Sequence, residues 1–322
     1  MIRRCARLVI VALCLGCAGR PPVPAAGPAA APAPLFDFHV GFWVNLHQRL
    51  YAESGPRGVR APLRAASAAD QEAWDRALEV YRRRWRDRSL LTVLEDETLV
   101  RLNRRLAAVE TEALPAPDLP DDLRAALAAA APVYRRSRWA DDERAARAFI
   151  DRLAPPIRTH GPRLAAALAR AYHSPWPAAP VNVDVAAYAG PVGAYTVLEP
   201  THITIASADP RHAGEAGLEI LFHEASHALV RPVEQAIAQA CAQGARPLPP
   251  TLWHAVLFWT TGEIVRRELG AGYVPYGYRH GLYTRGPDWA AYEPALARLG
   301  PRYLDGQATL EATMAELVAT GP

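Results

Sequence analysis

Lysine is absent from this chain, and all 36 of its basic residues are arginine. No single-site reason explains such a swap at every position. With the excess of Ala and Pro it reads as genomic composition bias. Cysteine is scarce, at 4 residues. Cys5, Cys14 and Cys17 fall in the first 17 residues, so Cys241 alone remains in the body and no intrachain disulfide can form there. In its Ala/Gln-rich helical stretch, Cys241 reads as a small buried apolar residue. A charge imbalance is lacking too. The formal charge of +3 is matched by Arg3, Arg4 and Arg7, and without them the side-chain sum is 3 − 3 = 0. A neutral chain has no electrostatic footprint for a phosphate backbone, so no nucleic-acid partner is expected. What is present is apolar: 50% hydrophobic against 21% charged residues, enough for a sizeable core and incompatible with wholesale disorder. At 322 residues the chain suits two domains, or one large domain with a cap.

Residues 1–17 have a basic start and an apolar run from Leu8 to Leu15, the pattern of a signal peptide and too short to span a bilayer. Residues 18–34 are Ala, Gly or Pro at fifteen of seventeen positions and should form a stiff, extended tether. A small residue, then Cys17, then a tether resembles a bacterial lipoprotein processing site. That resemblance implies export, and membrane attachment through a lipid on Cys17. Between residues 35 and 175 the pattern is helical throughout: Phe38, Phe42, Leu46 and Leu50 recur at spacing four, and Trp74, Leu78 and Tyr81 share a face. The breaks carry proline, at Leu114-Pro-Ala-Pro and Ala154-Pro-Pro, the latter separating helices expected over 139–153 and 156–172.

From 176 to 322 the pattern changes to a short β region and then helices, so the expected class is α+β, mostly helical. Val181–Val185 alternates with period two, and Tyr195–Leu198 and Thr201–Ser207 follow after short turns. Antiparallel pairing is the simplest expectation for them. Helical patterning resumes over 213–229, 233–243 and 250–269, with Pro232 as a kink between the first two.

Within the first of these helices lies His223-Glu224-Ala-Ser-His227, an HExxH motif. Histidines at i and i+4 differ by about 400° around a helix, so both imidazoles leave one face. Glu224, roughly 100° further round, can address a water held at a metal between them. Leu218, Phe222, Ala225 and Leu229 form a stripe that should bury the helix.

In these residues the chain resembles the zincin metallopeptidases, where a sheet precedes the HExxH helix and a later helix closes the site. The resemblance covers residues 181–269 and implies one Zn2+ per chain, held by three protein ligands. The HExxHxxGxxH continuation is absent, since Val230 and Val233 occupy its Gly and His positions. A gluzincin-like third ligand then falls to Glu263, with Arg267 to orient it; His254 and Glu234 are the rivals. His254 lies nine residues before Glu263, about 180° away on one helix, so both cannot reach one metal. The resemblance further implies peptide-bond hydrolysis with Glu224 as general base and then acid. It gives Tyr278 or His280 as oxyanion donor, and Thr201–Ser207 as an edge strand for a peptide or protein substrate. The alternative is a non-catalytic envelope lipoprotein that keeps the scaffold as a binding module.

Overall fold

The computed structural model describes residues 33–56, 59, 61–85, 96–107, 119–190, 192–198, 200–284 and 287–321. The leader at 1–17, Cys17, most of the tether and the break at 114–117 lie outside these residues. The described chain is mostly helical with a small mixed sheet. Strand β1 (Phe36–His39) leads into helices α1 (Phe42–Glu53), α2 (Ala68–Arg84), α3 (Glu97–Ala107), α4 (Asp121–Tyr134) and α5 (Ala140–Ala171). Strands β2 (Val181–Ala186), β3 (Ala194–Val197) and β4 (His202–Ala206) follow. Helices α6 (Glu215–Ser226), α7 (Arg231–Gln243), α8 (Leu252–Leu269), α9 (Tyr276–Arg279), α10 (Pro287–Leu304) and α11 (Leu310–Thr320) complete it.

Three expectations about elements need correction. The spacing-four series from Phe38 crosses a boundary: Phe38 is in β1, and only Phe42, Leu46 and Leu50 are helical. The Ala154-Pro-Pro segment does not break the chain, because α5 runs unbroken through Pro155, Pro156 and Pro162. An interior proline loses a backbone bond, but Pro155 and Pro162 are exposed, and buried Ala146, Phe149, Leu153, Leu164 and Leu168 hold both halves in one core. Pro232 is no kink; it sits in the first turn of α7, where a missing N–H costs nothing.

The sheet order is β1-β2-β4-β3. Only β3 and β4 pair antiparallel; β1 with β2 and β2 with β4 are parallel. The short β2–β3 connection misleads because β4 inserts between them. Consequently β4 is internal and the edge strands are β1 and β3, contrary to the expectation for Thr201–Ser207.

Both faces of the sheet are covered, and the period of two sorts them. Val181, Val183, Val185, Ile203, Ile205 and Ala194 face a core with α5, α6 and α8. Ala186, Ala206 and Tyr195 face a second core built by α1 to α4. The latter encloses an ionic knot: Arg49, 1% exposed, bonds Glu53 and Asp142, and Tyr134 donates to Asp142 at 2.8 Å. Among the described residues, no helix is long and apolar enough to cross a membrane.

Candidate metal centre

Helix α6 starts after Gly214, whose φ of 62° favours glycine. Leu218, Phe222, Ala225 and Leu229 are fully buried, as their stripe requires, and this fixes the helix roll that carries the two histidines. The helix ends at Ser226, yet His227 keeps helical backbone angles at the C-cap. The i, i+4 relation therefore survives, with the His223 and His227 rings 5.1 Å apart and perpendicular. The carbonyl end of a helix also favours positive charge.

Helix α8 brings a third imidazole. His254 Nε2 lies 3.2 Å from His223 Nε2, and its ring is 5.2 Å from the ring of His227. One ligand atom from each of His223, His227 and His254 lies within 4.8 Å of the others. Zinc–nitrogen bonds of roughly 2.0–2.1 Å give a tetrahedral edge near 3.3 Å, close to the His223–His254 separation. The donor set therefore fits a divalent borderline metal such as zinc, which imidazole suits.

Aromatic rings fix these imidazoles. Phe258 stacks on His223 at 3.6 Å, and Trp253 stacks on His254 at 4.9 Å while meeting His227 edge-on at 5.6 Å. Trp289 closes over His254 at 5.5 Å. His223 Nδ1 is buried without a partner among the described residues, so that ring is oriented by the Phe258 stack and by its Nε2 contact with His254. Burial lowers all three imidazoles: His227 to about 4, His254 to about 3 with help from His227, and His223 well below its usual range. Neutral imidazoles are the form that ligates metal.

Glu224 is 4% exposed and approaches the cluster from the same helix, with Oε2 3.9 Å from His227 Nε2. The Thr196 hydroxyl donates to that Oε2 at 2.7 Å and lies 2.9 Å from the Glu224 carbonyl. Burial pushes the Glu224 carboxyl up to about 7, against the lowering bond from Thr196. Thr196 comes from edge strand β3, which thus packs beside the motif.

The other sequence candidates stand elsewhere. Glu263 stands outside the histidine cluster: Arg266 grips it at 2.7 Å and Arg267 at 2.9 Å, on the side of α8 away from His254. Burial would raise its carboxyl, but the two guanidiniums hold it below the ordinary range. Glu234 is exposed on α7 beside Arg231. Tyr278 is 41% exposed and donates to Glu293 at 2.7 Å. His280 packs on Tyr276 at 4.4 Å, and Tyr276 in turn lies 6.2 Å from Phe258, so two rings separate His280 from His223. In that segment Tyr276 touches helix α6. Its backbone N–H donates to buried Glu219 at 2.8 Å, and burial, aided by nearby carboxylates that include Glu224, raises its phenol to about 12.

Thr196, Phe258, Trp253 and Trp289 were not legible as site residues. One signal existed: His254 and Phe258 are four apart in α8, on the same helical face. Comparison with protein-family models, with curated proteins and with solved structures found no match to this chain.

Proposed function

We propose that this chain is an exported zinc metallopeptidase whose metal ligands are His223, His227 and His254. The observation that carries the reading is the convergence of three neutral imidazoles beside a buried carboxyl. It accords with a zincin-like scheme, in which edge strand β3 flanks the HExxH helix and a later helix, α8, closes the centre. The departure from a gluzincin pattern is a histidine in place of Glu263.

When bound, the metal would supply Lewis-acid polarisation and lower the pKa of a coordinated water. The remaining work belongs to the chain. Glu224, held by Thr196, accepts a proton from the attacking water and returns it to the leaving amine. A carboxyl with raised affinity for protons is a better base than an exposed one. Tyr276 keeps its proton and is the phenol in this region suited to meet a developing oxyanion. As a terminal strand beside the motif, β3 is the strand that would pair with an extended peptide or protein substrate by strand addition. Membrane attachment through Cys17 rests on the leader pattern alone.

The test is Glu224→Gln in the zinc-loaded protein. Zinc content should be unchanged while hydrolysis of a peptide mixture falls by about 10²–10⁴-fold. Hydrolysis at the wild-type rate would remove Glu224 as base. Stoichiometric zinc with no turnover in the wild type would favour a binding module on the same scaffold instead.

A further inference from the structure

Beside the centre runs a cleft of about 430 Å³ between α7 and the 244–251 loop, with apolar walls from Ile237, Ala238, Leu248, Pro249, Pro250 and Trp253. Trp253 belongs to both places: it lines this cleft and packs its ring on His254 and His227. Its indole N–H donates to the Pro250 carbonyl at 3.2 Å, which ties the wall of the cleft to the start of α8. Leu248 is 58% exposed, more than any other large hydrophobic residue among those described. A wall built on consecutive prolines loses little freedom when a ligand settles on it. At the rim, Arg231 and Glu234 stand three apart on α7 and lower one another's net field, so neither sign of charge is selected. The larger cavity of about 770 Å³, bordered by α5 and α8, includes no residue of the centre in its wall and offers no comparable continuity.

We propose that the α7–loop cleft is the side-chain subsite of the metal centre. It receives a large, uncharged aliphatic or aromatic residue of a peptide next to the scissile bond. The assignment rests on the metallopeptidase reading for its catalytic meaning, but the cleft's affinity for such a side chain is measurable without turnover. Burying a side chain of this kind in a half-open cleft corresponds to about a tenfold gain in kcat/KM over an alanine peptide.

The experiment uses the full chain loaded with zinc, paired peptides that differ only in Leu, Phe or Ala at one position, and the cleft-filling variant Ala238→Trp. Ala238 is exposed on α7, so the larger ring is accommodated without entering the core. The expected result is a Leu:Ala and Phe:Ala preference near tenfold in the wild type that falls toward unity in the variant, at equal zinc content. In parallel, N-acetyl-phenylalanine amide should bind the metal-free wild type at least fivefold (roughly 1 kcal/mol) more tightly than the variant. Cleavage with no side-chain preference, or a preference untouched by Ala238→Trp, overturns the subsite and leaves the peptidase reading standing. No cleavage of any peptide by the zinc-loaded wild type sinks the peptidase reading, and the binding comparison then decides the cleft alone.

Discussion

Removing the His254 imidazole tests the centre most directly, because it separates the donor set in the structure from the one the sequence suggests. Structural zinc sites bind with roughly 10–16 kcal/mol, which over about four ligands is on the order of 3 kcal/mol each. Loss of one ligand then corresponds to about a hundredfold weaker binding. His254→Ala should show that loss, since its Nε2 stands 3.2 Å from that of His223. Glu263→Ala should leave zinc affinity unchanged, because its carboxylate is engaged with Arg266 and Arg267. Affinity is read by competition with a chelating dye, with elemental analysis for stoichiometry and circular dichroism to confirm that both variants fold. Wild-type affinity in a folded His254→Ala, or a large loss in Glu263→Ala, would refute the three-histidine assignment.

Three further outcomes follow from packing and burial. Glu219 is fully buried, and burial lifts its carboxyl from 4.5 to about 7 against bonds from Tyr273 and the Tyr276 N–H. Below the unfolded value both states are protonated. As pH rises through the folded value, the unfolded chain has already released its proton, so stability falls, by on the order of 3 kcal/mol. Glu219→Gln removes this component while those of Glu224 and the three histidines stay, so the variant's urea-measured stability relative to wild type should rise between pH 5 and 8; a constant difference would show that Glu219 does not titrate there. Gly300 lies against the Trp259 ring, where an added methyl would overlap it. Gly300→Ala should cost about 1–3 kcal/mol and lower Tm, and an unaltered melt would mean that the ring has room to move. Asp142, 2% exposed, is bound by Arg49 and Tyr134. Asp142→Ala should cost about 3–5 kcal/mol, whereas Asp141→Ala on the exposed neighbour should stay within about 0.5 kcal/mol. Equal losses for the two in urea titrations would contradict the burial argument.

The legible parts of this protein were local. The apolar stripe of α6, the faces of α2 and the HExxH pair depend on helical periodicity, which spacing encodes directly. Glu263 looked like a ligand because a carboxylate among apolar residues needs compensation. It has compensation, but from the two arginines in the next turn of its own helix, and spacing could not rank that partner above a metal. His254 and Glu263 leave α8 in opposite directions, as their spacing requires, but spacing does not say which side of α8 faces α6.

Sheet order was illegible for a similar reason. A seven-residue connection from β2 to β3 fits a hairpin as well as a path over an intervening strand, and only burial of both faces selects the latter. Likewise the three prolines of α5 predict a break locally, while the core that spans them keeps one helix.

By itself the sequence determined the HExxH pair, the carboxyl of Glu224 beside it and the mostly helical class, because each is a property of residues within one or two turns. Tertiary structure alone decided that His254 completes the triad, that Thr196 steadies Glu224 and that β3 forms an edge. Those outcomes depend on the relative roll of α6, α8 and the sheet, which is set by how whole apolar faces bury against one another.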